Sequence, residues 1–516
     1  MNNTQSNKTL AQHSMANSAS PLLSRSGSSE LEIPVADETQ SDSLDELTEW
    51  CIEGLNSRQF LQAMLVSLAR FFDGQQACIS DFTDAEPSWH CTGGANTTCS
   101  SSSDFCDIPD GSWAWDGPPS KSIVSEWALE CANYFITGLP TTSCFYLGCL
   151  VGGFVFATLA DGSLGRKNLL VLSCFIMSSA AQATSFSPDV WVYSALRFAS
   201  GFGRASIGTC AVVLSTEMVG KNSRGLIGMI GLFMNTLGLL SLPAIAYLLR
   251  DASWRCLYVA TSVPALIYTS VTFFLVRDPA TLTRFTSPAK RSRLELYLSR
   301  LLHKQEPTKL GLYSSIKYIL EQQWASTRLL KVMALGFGTG MMDYGMLLGV
   351  GNLGINLYLS VTFNALVILP SYVASYFLIE RWKRRDSVLG FTVLSGSLSI
   401  VCAIVGSGSL LELGLEVASF FCTCVAYNVL LIYTTELFPT RVRNSAISMM
   451  RQAVVLGVLL DPTLISAGKD IRYLTFLVFG LTIICCGCAA AFLPETRGLT
   501  LRDTLDEQEQ RITTTS

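Results

Sequence analysis

Three ionisable residues sit inside long apolar runs: Asp343 in "GTGMMDYGMLL", Arg197 in "VYSALRFASGFG" and Arg451 in "SMMRQAVVLGVLL". A charge inside a stretch long enough to cross a bilayer is costly and marks a binding or relay function. Asp343 and its neighbour Tyr344 have the parts to hold a quaternary ammonium, one supplying charge and the other a π-face. The carboxylate could instead carry a proton between two states, since burial disfavours its charged form, or pair with a neighbouring helix. Gly336, Gly338, Gly340 and Gly345 around it would allow close helix approach and an irregular backbone. Arg451 could bind a carboxylate or pair with Glu217 or Glu436 at the cytosolic rim. Asp461, near the other end of the same run, reads as water-exposed. Asp343 is then the one acid expected deep within a span of the second half.

A second group of charges lies at the ends of apolar runs. "DGSLGRK" supplies Asp161, Arg166 and Lys167, and "ERWKRR" supplies Glu380 and Arg381 at the matching place further on. "STEMVGKNSRG" offers Glu217 and Arg224, and "YTTELFPTRVRNS" offers Glu436, Arg441 and Arg443. The expectation is that Glu217 pairs with Arg224, and Glu436 with Arg441 and Arg443, when the cytosolic face is closed, giving two states of similar energy. The alternative is that the basic residues only set topology. "TEMVGKNS" faintly resembles a phosphate-binding loop, but it lacks the preceding glycine and the hydroxyl residue directly after the lysine.

The elements that position these residues are membrane helices. Hydrophobic residues make up 49% of the 516 and charged ones 15%, and mean hydropathy is +0.37. Soluble proteins carry about 25% charge. Apolar runs of bilayer-spanning length fall at 58–79, 138–160, 168–187, 190–216, 225–249, 254–276, 328–350, 358–380, 387–407, 413–436, 446–467 and 471–493. The first is interrupted by Arg58, Arg70 and Asp73. The organisation expected is a disordered cytosolic tail over 1–57, a six-helix half over 58–276, a cytosolic linker over 277–327, a second half over 328–493 and a tail over 494–516. The basic turns place one face, and both termini, in the cytosol. Two halves with matching charged turns describe an all-α, twelve-helix transporter with its substrate path between pseudo-repeats.

The external loop 80–137 holds nine acidic residues and one lysine, a balance that would concentrate cations at the entrance. Cys78, Cys91, Cys99, Cys106, Cys131 and Cys144, in or beside it, are disulfide candidates for an oxidising compartment, and Asn96 opens a glycosylation sequon. Three scattered histidines give no metal site, and no cofactor or nucleic acid is implied.

The twelve runs, "DGSLGRK", "RFASGFGRA" and "LPETRG" resemble the major facilitator superfamily. "STEMVGKNSRG", "YTTELFPTRVRN", "NLYLSVTFNALV" and the Cys-rich loop resemble its organic cation/carnitine transporter branch, and "FFDGQQACISDFTDAEPSWHCT" the plant members. The resemblance implies a secondary transporter of small organic cations or zwitterions, carnitine foremost; protons enter only through the proton-carrying alternative for Asp343, and the coupling ion is not legible in the sequence. By the same resemblance Asp343 and Tyr344 face the substrate cavity and Arg197 contributes to transport. Ile368 stands where cation-transporting members commonly have a glutamate, and "VRDPATL" replaces the family's Pro-Glu-Ser-Pro-Arg segment. A facilitator of neutral sugars or polyols and a non-transporting receptor are the competing readings; an enzyme is not expected. Plant resemblance and the "PLL" of the tail favour the vacuolar over the plasma membrane.

Overall fold

The computed structural model describes residues 57–92, 112–129, 131, 142–160, 165–219, 221–276, 312–349, 357–405, 410–467 and 472–497. Backbone in hydrocarbon must satisfy its own hydrogen bonds, so the apolar runs fold as helices. The first run is α1 (Ser57–Ser67), α2 (Ala69–Cys78) and α3 (Ser80–Thr83). A short hairpin, β1 (Trp89–Cys91) with β2 (Trp113–Trp115), and α4 (Ile123–Glu126) belong to the external loop. Then follow α5 (Cys144–Ala160), α6 (Arg166–Thr184), α7 (Val190–Arg204), α8 (Ile207–Glu217), α9 (Lys221–Leu248) and α10 (Trp254–Leu275). The segment read as a linker holds α11 (Leu312–Glu321), and the second half holds α12 (Gln323–Gly349), α13 (Leu357–Arg381), α14 (Arg384–Val405), α15 (Leu410–Leu437), α16 (Thr440–Ala467) and α17 (Arg472–Gly487).

Among the described residues seven helices are individually long and apolar enough to cross a membrane. The other apolar runs fold as broken helices (α1 to α3, α7 with α8), a short one (α5) or more polar ones (α6, α12).

The two halves repeat the same packing. In the first, α2 packs on α9, α5 on α7, α6 on α7 and α6 on α10; in the second, α12 packs on α16, α13 on α15, α14 on α15 and α14 on α17. The repeat extends to individual glycines. A Cβ on Gly238 would stand 2.0 Å from Phe71 O and one on Gly74 2.6 Å from Asn235 O. At the equivalent crossing, one on Gly340 would stand 2.3 Å from Val454 O and one on Gly457 2.4 Å from Phe337 O. Bare backbone lets these helices approach closely where apolar surroundings give no hydrophobic drive. The expected irregular backbone near Asp343 is not found, because α12 is helical through Gly349. The halves meet where α5 packs on α16 and α9 on α13. Large apolar side chains such as Phe175, Phe274 and Ile404 stay exposed and face outward to lipid.

Candidate functional site

Asp343 lies on α12, which packs against α15, α16 and α17. Met341 and Met342 beside it are buried, yet Asp343 itself is accessible to solvent. Asp343 is thus an exposed position on a helix that packs against three others. The Cys424 thiol, on α15, donates to its Oδ1 at 3.7 Å. Tyr344 is part of the α12 backbone, but its side chain lies outside the described residues.

Asp343 is not the lone deep acid of this half. Asp461 is completely buried, neither of its carboxylate oxygens has a hydrogen-bond partner among the described residues, and the charge of Asp343 reaches it. Its position near the end of an apolar run suggested water, but α16 continues to Ala467 and packs this level against α12. Glu412 and Glu416 are also buried, on the first turns of α15.

Arg197 has no accessible surface. Its Nη2 donates to Ser80 Oγ, and its guanidinium lies 4.2 Å from the Phe145 ring centroid. In this conformation it ties α7 to α3 and α5 and is shielded from any substrate in the cleft. Arg204 is the more telling arginine of this helix. Its Nε donates to Asp73 Oδ1 at 2.5 Å, joining the first run to the fourth at the point where α7 gives way to α8. Sequence reading took Asp73 for an interruption; an acid at the centre of one run and an arginine in another is the signal that was present. Arg70, likewise taken for an interruption, turns inward, and its Nη1 donates to Gly208 O at 3.2 Å.

The charged ends of the runs do pair, though with other partners than the local ones. Glu217 forms its ion pair with Arg166, which opens α6, and not with Arg224. Glu436 pairs with Arg384, which opens α14, at 3.4 Å. Arg443 instead turns back to Phe438 O at 3.4 Å, and the side chain of Arg441 lies outside the described residues. The arginine at the start of one apolar run thus reaches the glutamate at the far end of the next run. The terminal "LPETRG" segment completes the second cluster. Thr496 Oγ1 donates to Glu436 Oε2 at 2.5 Å, and Glu495 accepts from the N–H groups of Arg384 at 2.9 Å and Arg385 at 3.2 Å. A carboxylate is favoured at a helix N-terminus. Arg497 donates to the backbone carbonyls of Glu380 and Arg381. Lys167 is half-buried in the first turn of α6, and Asp161 lies outside the described residues.

On the opposite face, the external loop is bolted to the first half. Glu126 of α4 accepts from Trp254 Nε1 at 2.6 Å and from Arg255 Nη1, while Arg255 Nη2 donates to Ser187 O at 2.9 Å. Cys91 and Cys131 each belong to a disulfide. Cys78 and Cys144 are free thiols, contrary to expectation. Cys78 is buried at the end of α2 in an apolar cluster with Ile79, Ile123 and Leu242, and Cys144 opens α5. Cys99, Cys106 and Asn96 lie outside the described residues. Between the halves, Tyr358 at the start of α13 stacks on Phe82 and meets the edge of Tyr247, each at 5.6 Å. That clasp was not legible in the sequence.

Among the described residues no cluster of His, Cys, Asp and Glu could hold a metal ion. A profile of the Major Facilitator Superfamily matches residues 131–405. Organic cation/carnitine transporter 3 of Arabidopsis thaliana is 46% identical, over 96% of this chain and 98% of its own length. Organic cation/carnitine transporter 2 of the same plant is 44% identical over 96% and 97%, and the Mus musculus protein of that name is 28% identical over 77% and 73%. The crystal structure of a D-xylose-proton symporter superposes with a TM-score of 0.62 at 14% identity, over 86% of this chain and 100% of that one. An inward-open form of the xylose transporter from E. coli gives 0.62 at 13%, over 88% and 99%. These structures speak for the fold alone. With the matching packing of its two halves and these relatives, the chain is a multi-pass membrane transporter, not an enzyme, and belongs to the organic cation/carnitine transporter family of the major facilitator superfamily.

Proposed function

We propose that this protein is a secondary active transporter of small organic cations and zwitterions, with carnitine as its leading substrate, working by alternating access between its two halves. The observation that carries the reading is Asp343, a water-reachable carboxylate on an otherwise buried stretch of α12. A single accessible acid in a low-dielectric cleft attracts a quaternary ammonium strongly. The names of the plant relatives support the same substrate class. The Tyr358 clasp with Phe82 and Tyr247 closes one face of the junction between halves, and the ion pairs Arg166–Glu217 and Arg384–Glu436 stiffen the opposite ends of each half. Protons are the coupling ion of this reading, for which the buried Asp461 is the second acid. A buried carboxylate with no donor is least costly when it carries its proton.

The basic turns face the cytosol, as do both termini, and the external loop faces the vacuolar lumen. Uptake of labelled carnitine and tetraethylammonium into vesicles tests the substrate class. Asp343→Asn keeps the shape and removes the charge, so it should abolish most cation uptake at unchanged protein abundance. Equal uptake by Asp343→Asn and wild type would move the reading to a neutral solute. Topology is tested separately: reductant and glycosidase should each change the mobility of the full chain on a gel, through the loop's disulfides and Asn96.

A further inference from the structure

The end of α17 and the residues after it read "IICCGCAAAFLPET", with three cysteines among four residues. Cys485 and Cys488 are exposed. Cys486 between them turns in against α12, where a Cβ on Gly338 would stand 2.6 Å from its own Cβ. Gly487 meets α14 in the same way, since a Cβ there would stand 2.4 Å from Thr392 Oγ1. Residues three or four apart share one face of a helix. The face of Cys485 and Cys488 runs on through the exposed Leu481 and Leu474 in one direction and to the exposed Phe492 in the other. Ile483, Ala490 and Leu493 belong to the covered side. The two thiols thus stand on the lipid-facing surface of α17.

A lysine fixes their depth. Lys331 of α12 donates from Nζ to Phe492 O at 3.0 Å, and its ammonium lies 5.7 Å from the centre of the Phe492 ring. A lysine near a helix end keeps its ammonium at the headgroup level while its stem covers apolar surface. Phe492 is therefore at the membrane boundary, and Glu495 and Thr496 just beyond it already join the polar cluster of Arg384 and Glu436. Cys488 to Phe492 is a 3₁₀ segment, which places Cys488 about 8 Å inside that boundary and Cys485 about 5 Å deeper. Both lie in the leaflet bordered by the basic turns. Cys256 is the other exposed free cysteine among the described residues. It lies at the opposite face, next to the Arg255 that Glu126 of the external loop holds.

We propose that Cys485 and Cys488 are S-acylation sites, each taking a long fatty acyl chain that lies along α17 over Leu481 and Leu474. Such chains are attached to juxtamembrane cysteines, and they are transferred on the cytosolic side. The inference rests on the reading that the basic turns face the cytosol. In the transfer, the cysteine sulfur attacks the carbonyl of a long-chain acyl thioester of coenzyme A. A new thioester bond forms as the carrier's carbon–sulfur bond breaks, and the thiol proton ends on the departing carrier thiolate. No oxidant or reductant takes part. The partner is a membrane acyltransferase that presents the acyl group at the headgroup level. The exposed Ala491 leaves the surface low between Cys488 and the bulky Phe492, so the thiol is open to approach from that level. An acyl chain at this place anchors the end of α17 immediately ahead of the Glu495–Thr496 cluster.

Thioester counting on the full-length protein, made in a eukaryotic host, tests this. Thiols are reduced and blocked, thioesters are opened with neutral hydroxylamine, and each freed thiol is coupled to a polymer-bearing maleimide that retards the chain on a gel. Wild type should show hydroxylamine-dependent steps. Cys485→Ala and Cys488→Ala should each remove one step, the double replacement should remove both, and Cys256→Ala should remove none. A wild type with no hydroxylamine-dependent step, or a ladder unchanged in the double replacement, would overturn the sites and leave the topology standing. A step removed by Cys256→Ala and by neither of the others would overturn the sites and reverse the topology with them. Mass spectrometry of the wild-type peptide between Arg472 and Arg497 needs no variant. Acyl chains located on Cys485 and Cys488 sustain the proposal; an unmodified peptide, or one acylated on Cys486 alone, overturns it.

Discussion

Arg384 and Glu436 form an ion pair at 3.4 Å in the second half, and Arg166 and Glu217 form its counterpart in the first. In each case the arginine opens the third apolar run of its half and the glutamate closes the fourth. The pairs are therefore internal to each half and cannot themselves join the halves. On the alternating-access reading proposed above, they would hold each half rigid at its basic end.

Breaking these pairs should slow transport without loosening substrate. Arg166 and Glu217 are both well exposed, and an exposed pair contributes only about 0–1 kcal/mol to stability. Arg166→Ala and Glu217→Gln should leave the melting temperature within a few degrees and equilibrium affinity within a few-fold, while turnover falls strongly. Arg384 and Glu436 are less exposed, and Glu436 also binds Thr496, so the loss there should be larger. The exchange Arg384→Glu with Glu436→Arg should restore part of the rate. Loss of binding with unchanged turnover would refute the bracing role.

Asp73 and Arg204 should behave differently, because this pair is structural. Asp73 is almost fully buried and Arg204 largely so. Removing one member of a buried pair leaves an uncompensated charge and costs about 3–5 kcal/mol. Arg204→Ala or Asp73→Ala should therefore lower folded yield and melting temperature sharply, and the double replacement Asp73→Asn with Arg204→Gln should recover much of the loss. A double-mutant cycle on the detergent-purified protein measures the coupling, and additive losses would count against it.

The external hairpin should carry an acid transition of its own. His90 Nδ1 lies 2.6 Å from Asp116 Oδ1, and hydrogen bonds from Ser88 and His90 hold the Asp116 carboxyl below its ordinary value. A carboxylate whose folded value is depressed stabilises the fold above its unfolded value, and that contribution is lost as pH falls through the folded one. The window therefore lies below about pH 4. Trp89, Trp113 and Trp115 pack edge to face in this hairpin and report on it. Tryptophan fluorescence should stay flat from neutral pH to about pH 5 and change only in stronger acid; Asp116→Asn should remove that step. A step near neutrality, retained in Asp116→Asn, would assign the transition to another group.

The helices were legible because length and apolarity act along the chain, and Asp343 because an acid within such a run is conspicuous. Pairing was not legible, since it depends on which helix ends meet in space. Glu217 has Arg224 close by in sequence, yet it meets the distant Arg166. Arg70 and Asp73 looked like flaws in the first run for the same reason, since sequence gives their charge and not the inward face of α2. Asp461 was misjudged by assuming that the end of an apolar run is wet, when α12 covers it.

Asp461 offers a test that separates substrate binding from the proton coupling proposed above. Its carboxylate has no accessible surface and no hydrogen-bond partner among the described residues, and the charged group whose field reaches it is Asp343. A group so placed touches no substrate directly, so any effect on transport must pass through its own proton or through Asp343. Asp461→Asn keeps the size of the side chain and removes the proton site. An unpaired buried charge is destabilising whenever it forms, so the replacement should leave the melting temperature unchanged or raised. Exchange of substrate for substrate across the membrane needs no net proton movement and should survive. Accumulation driven by an imposed pH gradient should be lost. If Asp461→Asn lost exchange and accumulation together while folding normally, the residue would belong to the substrate path. If both persisted, proton coupling through Asp461 would be excluded and Asp343 would be left as the acid to test.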